Sequence, residues 1–349
     1  MANSLFVLGL LTGCVVLLRW AWTALPQGRW QMMAALPVAR RTVHSWHGMN
    51  LTYYGFWTAT AVTAAFALFC LLMEATGIGL GTAAMIGAIV LGICIPTAKL
   101  MARLIEGKAY VFTVGGASFV GFLFAPAAIW GVAQAQSGGS HPIPLMPALA
   151  ALVIAYAIGE GLGRFACISF GCCYGKPLAH CSPLVRRLFS GQAFRFYAPT
   201  QKAVYQAGLA GEPLVPIQGL TAAVCLGAGL LALALFLAGW FHASFLIAAL
   251  GTQGWRVASE WLRADIPHAG LFSAYQTMAA LNAGYAALLG LALPSLESVV
   301  PDVTAGLRPF WDPAMILTLE ALWVLVFLYT GRSMVTASTV SFDVVKGRI

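Results

Sequence analysis

Long apolar stretches recur along this chain, separated by short polar or Gly/Pro-rich segments. A helix needs about 20 apolar residues to cross the hydrocarbon core of a bilayer. Stretches of about that length cover residues 4–25, 51–73, 79–104, 111–135, 143–163, 216–240, 243–262, 275–296 and 313–331. The pattern predicts an all-α, polytopic membrane helix bundle with about nine transmembrane helices.

The first stretch is interpreted as a retained helix rather than a signal peptide. It lacks a basic n-region, is too long for an h-region, and no clear small-x-small site precedes Pro26. Arg19, Trp20 and Trp22 near its end are typical of a membrane interface.

The segment 164–215 differs from the other connections because it is long and basic. Loops of this length are usually functional or disordered. We therefore expect a small interfacial subdomain here. Its basic residues are Arg164, Lys176, Arg186, Arg187, Arg195 and Lys202.

Composition agrees with a membrane protein, since 60% of the residues are hydrophobic and only 9% are charged. The net charge of +8 suits loops that face anionic lipid. Nucleic acid is not an expected partner, because the basic residues are spread over several loops and form no single stripe. Residues 159–163, Gly-Glu-Gly-Leu-Gly, follow no predicted strand and are not a dinucleotide-binding turn.

The most informative stretch is residues 159–175, which places Arg164 and a run of glycines at the end of an apolar span. Glycines allow close backbone approach, and arginine presents a planar fork of donors suited to phosphate. The stretch therefore predicts a phospholipid headgroup site at the membrane interface. Glu160, one turn before Arg164, is expected to pair with it.

Four other segments contain polar or small residues inside or beside apolar spans. Tyr53-Tyr54-Gly55 opens the second span, and residues 115–121, Gly-Gly-Ala-Ser-Phe-Val-Gly, lie in the fourth. Pro216-Ile217-Gln218 starts the sixth span, and residues 255–265 end the seventh. Charged residues within a membrane are costly and usually mark a functional site.

In the last of these segments, Arg256 and Glu260 are four residues apart and share one helix face, followed by Arg263 and Asp265. An ion pair that only neutralises two buried charges is the alternative explanation for this spacing. The order of all these segments, together with Ser273-Ala274-Tyr275-Gln276, resembles the prolipoprotein diacylglyceryl transferase family.

The resemblance covers about residues 50–300. It implies a seven-helix core over residues 51–297 that contains the interfacial subdomain 164–215. An extra N-terminal helix and basic loop would occupy residues 1–50, and an extra C-terminal helix and tail residues 298–349.

Members of that family move the diacylglyceryl group of phosphatidylglycerol to a cysteine thiol of a lipoprotein precursor and release glycerol phosphate. The resemblance implies a multi-pass enzyme embedded in the bacterial inner (plasma) membrane. Its partners would be an anionic glycerophospholipid and a lipoprotein precursor or other lipid acceptor. No metal or other cofactor is expected.

Site residues follow from the resemblance, position by position. Arg164 and Arg256 would grip the lipid phosphate and stabilise charge on the departing oxygens, and Glu260 would orient Arg256. The residues expected to line or shape the substrate cavity are Tyr54, Gly115, Gly116, Gly121, Cys167, Gly171, Gly175, Gln218 and Arg263.

The chain departs from the family pattern at four positions: Val120 replaces a histidine, Cys167 an asparagine, Cys172 a glutamate and Thr252 a tyrosine. The arginines expected to bind the phosphate are thus retained, whereas several other polar residues of the family pattern are replaced. Two alternatives stay open: a diverged lipid-modifying transferase with another acceptor, and a phospholipid-binding protein without catalysis.

Transfer to a thiol needs a thiolate or a base near the thiol, because the thiolate is the nucleophile. His44, His47 and His268 are candidates, and each is alternatively an interfacial polar residue.

Loops on the side of the predicted site contain nearly all of the basic residues, and Arg308 is the clear exception on the other side. The positive-inside rule therefore predicts that the site faces the cytoplasm. The family resemblance implies the outer face of the membrane, so the two signals disagree.

Eight cysteines divide into two groups. Cys14, Cys70, Cys94 and Cys225 lie inside apolar spans and are interpreted as small packing residues. Cys167, Cys172, Cys173 and Cys181 lie close together in sequence. For these, packing, a disulfide, a reactive thiol and, together with His180, a metal site are alternatives. The spacing matches no standard structural zinc pattern.

Overall fold

A computed structural model of the chain describes residues 1–106, 114–137, 143–265, 272–294, 300–332 and 340–343. It is mostly helical, which confirms the predicted class, and seven of its helices are long and apolar enough to cross a membrane. These helices are α1 (Ala2–Ala24), α2 (Tyr53–Ala75), α3 (Leu80–Glu106), α4 (Val114–Ser137), α5 (Leu145–Phe170), α8 (Ile217–Leu237) and α12 (Pro313–Thr330).

The other two predicted spans are also helices. They are α9 (Phe241–Glu260) and α10 (Ala274–Ala292), which are less apolar than the seven. The remaining helices are short: α6 (Pro183–Phe189), α7 (Lys202–Ala207) and α11 (Val303–Leu307).

Helix α5 is the centre of the bundle and packs on α2, α8 and α9. Small residues allow this close packing: a Cβ added to Gly161 would lie 2.6 Å from Leu226, and one added to Gly229 would lie 2.8 Å from Ile158. Helix α10 packs between α9 and α4. Helices α1 and α12 lie at the edge and bury few side chains, as expected for helices that face lipid.

The predicted boundary at residue 164 is wrong. Helix α5 continues to Phe170, because neither Pro nor Gly interrupts the chain between Arg164 and Phe170. It ends at Gly171, whose φ of 70° is the left-handed conformation of a helix C-cap. Arg164 and Cys167 are therefore helical residues.

From residue 171 to Pro216 the chain folds over the end of the bundle. Within this segment, Phe194 and Phe196 are buried, and Leu214 forms isolated β-bridges with Pro177 and Phe194. Phe194, Phe196 and Leu214 belong to the apolar core of the bundle, so the segment is held by packing against that core.

A small antiparallel sheet, which the sequence pattern did not predict, lies beside this end. Its strands are β1 (Met32–Arg40), β2 (Ser45–Thr52) and β3 (Val340–Asp343), in the order β1-β2-β3. The predicted basic loop before residue 50 is thus largely a hairpin. The Thr52 N–H donates to the Gly331 carbonyl at 2.8 Å, which joins the starts of α2 and of the C-terminal tail.

Candidate functional site

A stripe of polar side chains runs along one face of α5. Tyr156, Glu160, Arg164 and Cys167 recur at spacings of three or four residues, so they share one side of the helix. This side faces α9, which contributes Arg256 and Glu260. The site therefore forms where the two helices meet.

Glu160 joins the two predicted phosphate-binding arginines. Its Oε1 accepts a hydrogen bond from Arg164 Nη2 and another, at 3.2 Å, from Arg256 Nη1. All three side chains are largely buried, with 3% exposure for Glu160, 12% for Arg164 and 14% for Arg256. The expected pairing of Glu160 with Arg164 is confirmed, and Glu160 also fixes Arg256.

Arg263 forms a second ion-pair network next to the first. Its Nε and Nη2 each donate to a carboxylate oxygen of Asp265 at 2.9 Å, a bidentate geometry. Its Nη1 lies 3.6 Å from Glu260 Oε2, and Ser273 Oγ donates to Glu260 Oε1 at 3.2 Å. Glu260, predicted to orient Arg256, thus pairs with Arg263, while Glu160 is a carboxylate partner of Arg256.

The side chains of the two networks surround a small cavity. It is lined by Arg164, Cys173, Ile217, Gln218, Thr221, Arg256, Ser259, Glu260, Arg263 and Tyr275. Its volume of about 20 Å³ holds about one water molecule.

Gln218 is buried at the start of α8 and links this cavity to the cysteines. Its Nε2 donates to the Cys172 carbonyl at 2.9 Å. Its Oε1 is buried and makes no hydrogen bond within the described part of the chain. A buried oxygen of this kind is suited to accept a hydrogen bond from a ligand.

Two of the predicted glycines leave no room for a side chain. A Cβ on Gly115 would lie 2.9 Å from Arg256 Nη2 and 2.7 Å from Tyr275 Cδ1. A Cβ on Gly175 would lie 2.3 Å from the Val215 carbonyl oxygen. Gly115 thus lets α4 approach the arginine pair.

The other predicted small residues have different surroundings. Gly116 is buried in α4 beside Gly115. Gly121 packs toward α3, where its Cβ would lie 3.1 Å from Cys94 Sγ. Gly171 caps α5. These positions shape the helix packing around the site.

Tyr54 belongs to the same region as the cysteines. Its ring packs edge-on against Phe170, with 5.7 Å between ring centroids. Cys172, Cys167 and Cys173 all interact electrostatically with its phenol group. Tyr54 therefore lies near these three cysteines.

Three cysteines form a cluster at the end of α5. The Sγ atoms of Cys167, Cys172 and Cys173 all lie within 4.8 Å of one another. Hydrogen bonds from Cys167 and Cys172, and then the charges of Arg263 and Arg164, lower the pKa of the Cys173 thiol well below its usual value. Hydrogen bonding to Cys167 and Cys173, together with burial, raises the pKa of Cys172.

Burial also raises the pKa of the Asp265 carboxyl, although Arg263 opposes this effect. Burial disfavours the charged form of Arg263, but the Cys173 and Asp265 charges outweigh it and raise the arginine pKa. The positive charge of Arg263 is therefore held between a carboxylate and the sulfur cluster.

The chain was compared with family models, with curated proteins and with solved structures, and no match was found in any of the three. The family resemblance therefore stays a prediction that depends on the motif residues themselves.

The three histidines predicted as candidate bases are not among the described residues that line this cavity. His44 and His47 are exposed on the β1–β2 hairpin. His268 lies outside the described residues. Sequence reasoning did not anticipate the second partner of Glu160 or the closeness of the three sulfurs, because both depend on how α5, α9 and the turn after α5 pack together.

Proposed function

We propose that this protein is an integral membrane transferase of the diacylglyceryl transferase type. It would bind an anionic glycerophospholipid such as phosphatidylglycerol and transfer the diacylglyceryl group to a thiol acceptor. The observation behind the proposal is the pair Arg164 and Arg256, which meet on one oxygen of Glu160 at a buried cavity. No other charge pair in the described chain joins two long helices of the bundle core in this way.

The arginine pair is chemically suited to a phosphodiester. Each guanidinium presents five donors in a planar fork, so two of them can bind several phosphate oxygens at once. In the transition state, negative charge grows on the phosphate oxygen that leaves with the headgroup, and the two guanidinium groups would stabilise it. Glu160 keeps both cations in place when lipid is absent.

Lipid binding would require the site to open. The cavity holds about one water molecule, whereas a phosphoglycerol headgroup is several times larger. We expect the Glu160 pairs to separate or rearrange as the phosphate enters. Gln218 Oε1 would then accept a hydrogen bond from a headgroup hydroxyl.

The proposal also includes α9 and α10 as membrane spans, which gives nine. They pack inside the bundle next to α8 and α4, where Gln253, Gln276 and Asn282 are buried. Helices α1 to α5 are five successive spans, so the N-terminus and the site at the end of α5 lie on opposite faces of a bacterial plasma membrane.

A lipid assay tests the function. Full-length protein in vesicles that contain headgroup-labelled phosphatidylglycerol should release labelled glycerol phosphate when a cysteine peptide is added, and the peptide should gain a thioether-linked diacylglyceryl group. Release that does not depend on a thiol would favour another acceptor. Protein that binds the lipid but releases no headgroup would refute the catalytic role.

A second candidate, a lipid-modifying transferase with another acceptor at the cytoplasmic face, is favoured by the charge distribution. Arg186, Arg187 and Arg195 lie in the segment 171–216, at the end of the helix bundle that contains the site. Arg308 lies at the opposite end of the bundle. Ser190→Cys, in a variant without other cysteines, can be labelled from each side with an impermeant maleimide. Labelling from outside favours the thiol acceptor of exported precursors, and labelling only from inside favours the second candidate.

A further inference from the structure

The three clustered cysteines have a defined geometry that the proposed phosphate site does not use. Cys167 lies in the last turn of α5, and Cys172 and Cys173 follow Gly171. The Cys172 N–H donates to the Cys167 carbonyl at 3.2 Å, which folds the turn back over the helix end. As a result the three Sγ atoms lie within 4.8 Å of one another.

Surrounding contacts hold this turn in place. Gln218 Nε2 donates to the Cys172 carbonyl from α8. The backbone of Cys173 has φ of 52°, a left-handed conformation that non-glycine residues adopt uncommonly. These contacts thus fix the orientations of the Cys172 and Cys173 side chains, whereas a flexible loop would leave them variable.

The cluster is open on one side. Cys173 lines the cavity together with Arg164, Gln218 and Arg263, whereas Cys172 is buried. A ligand bound by the three sulfurs would therefore have one side directed toward the proposed lipid site.

We propose that Cys167, Cys172 and Cys173 bind a thiophilic metal ion, with zinc as the best fit, through three sulfur ligands and a fourth position that faces the cavity. Thiolate ligands select soft metals, and zinc is bound by cysteine at about 2.3 Å. For a tetrahedral ion that bond length places the sulfurs about 3.8 Å apart. The observed separations of at most 4.8 Å exceed this spacing by no more than about 1 Å.

The local charges suit the complex. Three thiolates around a divalent cation have one excess negative charge. Arg164 and Arg263 interact electrostatically with Cys173, and Lys202 interacts with Cys172 and Cys173. These cations balance the excess charge at a buried position.

An open fourth position is typical of catalytic rather than structural zinc. We assign that position to the acceptor thiol, and this assignment rests on the proposed function. Coordination would release the thiol proton to solvent, because a metal-bound thiol is deprotonated. The bound sulfur would attack the glyceryl carbon that bears the phosphate ester. A C–S bond forms, the C–O bond breaks, and its electron pair leaves on the oxygen of glycerol phosphate. The metal would thus take the role of the base that is missing because Val120 stands where the family pattern has a histidine.

Cadmium titration of the full-length purified protein tests metal binding independently of lipid. We expect one equivalent of Cd²⁺ to produce an ultraviolet cadmium–thiolate charge-transfer band, and added Zn²⁺ to remove it by competition. Cys167→Ser, Cys172→Ser and Cys173→Ser should each weaken Cd²⁺ binding at least tenfold. Cys181→Ser, in the same segment but outside the cluster, should bind as the parent does.

The site is refuted if the parent gives no stoichiometric band, if Cys181→Ser loses it equally, or if mass spectrometry finds Cys172 and Cys173 joined as a disulfide. Folding of each serine variant is checked by thermal unfolding in detergent, so that a lost band in a folded variant is informative.

Chelation separates the role of the metal from the lipid chemistry. In the glycerol phosphate assay, a chelator should abolish turnover, and Zn²⁺ should restore it. Turnover that survives complete metal removal would overturn the acceptor role and leave the proposed transferase intact. A metal-loaded protein with no turnover under any condition would refute the transferase while the metal site stands.

Discussion

The two sides of the candidate site are built from different chemistry and held by different parts of the fold. On one side, Arg164 and Arg256 project from two long helices and share Glu160. On the other side, Cys172 and Cys173 lie in a turn and reach back to Cys167 on α5. The arginine side is fixed by helix packing, whereas the sulfur side is fixed by a turn that closes a helix end.

Both arginines of the first side match the predicted family pattern, whereas Cys167 and Cys172 on the sulfur side depart from it. Helix-borne charges are costly to move, because each must keep a partner in a low-dielectric region. A turn at the interface can exchange its side chains with less disturbance of the bundle. If the protein has the proposed function, phosphate binding and acceptor activation should be separable, and the following variants test this expectation.

The largest effect is expected for the arginine side. Arg164→Ala or Arg256→Ala should reduce headgroup release by about 10²–10³-fold, the cost of removing a donor to developing charge. Either change also leaves Glu160 with one partner fewer, so Arg256→Lys serves as a second variant. It keeps the charge but loses the fork, and we expect roughly a tenfold loss without a change in thermal stability.

Arg187→Ala is the matched control, because Arg187 is an exposed arginine on α6 at the same end of the molecule. It should leave headgroup release unchanged. Equal losses in Arg187→Ala and Arg256→Ala would mean that general surface charge, and not the buried pair, governs the reaction.

The sequence predicted those parts of the structure that follow from local periodicity. A helix occupies most of the described residues of each of the nine apolar stretches. About twenty apolar residues form a helix wherever the backbone must satisfy its own hydrogen bonds. The pairing of Glu160 with Arg164 follows from their spacing of four. The end of α5 was misplaced because a glycine-rich run before Arg164 suggested a break that the helix passes through.

Features that join distant segments could not be predicted in this way. Arg256 reaches Glu160 from 96 positions away, and no periodicity in either segment encodes that contact. The sulfur cluster depends on the left-handed backbone of Cys173. The hairpin of β1 and β2 was missed because its residues alternate weakly and follow an apolar helix.

Gly115→Ala probes the arginine side without touching a charge. The added methyl would lie 2.9 Å from Arg256 Nη2 and 2.7 Å from Tyr275, so Arg256 must shift. Because small displacements in a site strongly affect rate, we expect roughly a tenfold loss of headgroup release. Gly131→Ala, in the same helix with nothing within 4 Å of its Cβ, should have no effect. Unchanged turnover in Gly115→Ala would show that Arg256 tolerates displacement and does not act at the phosphate.

Gln218→Leu tests whether the oxygen between the two sides binds the headgroup. Loss of one net hydrogen bond of about 1 kcal/mol should weaken binding of phosphatidylglycerol roughly fivefold. A phospholipid without headgroup hydroxyls should bind the parent and the variant equally. The measurement is the apparent KM for each lipid in mixed micelles. Equal losses for both lipids would assign Gln218 to the support of Cys172 alone.

The smallest effect on lipid binding is expected for Glu160→Gln, and its sign is informative. If the carboxylate occupies the place of a phosphate oxygen, its neutral replacement should bind phosphatidylglycerol more tightly, by roughly threefold, since less attraction between protein groups must be broken. The same change should lower stability by about 3 kcal/mol, because two buried guanidinium groups lose their counter-ion.

These opposite signs distinguish a ligand site from a purely structural ion pair. Vesicle co-sedimentation would measure the affinity, and thermal unfolding with and without phosphatidylglycerol would measure the stability. For a ligand site, added lipid should recover much of the lost stability, because phosphate replaces the missing charge between Arg164 and Arg256. If the variant loses stability and lipid restores none of it, the two arginines serve the fold alone, and the transferase proposal loses its main support. Glu212→Gln, at an exposed position in the segment 171–216 outside the membrane spans, should change neither property.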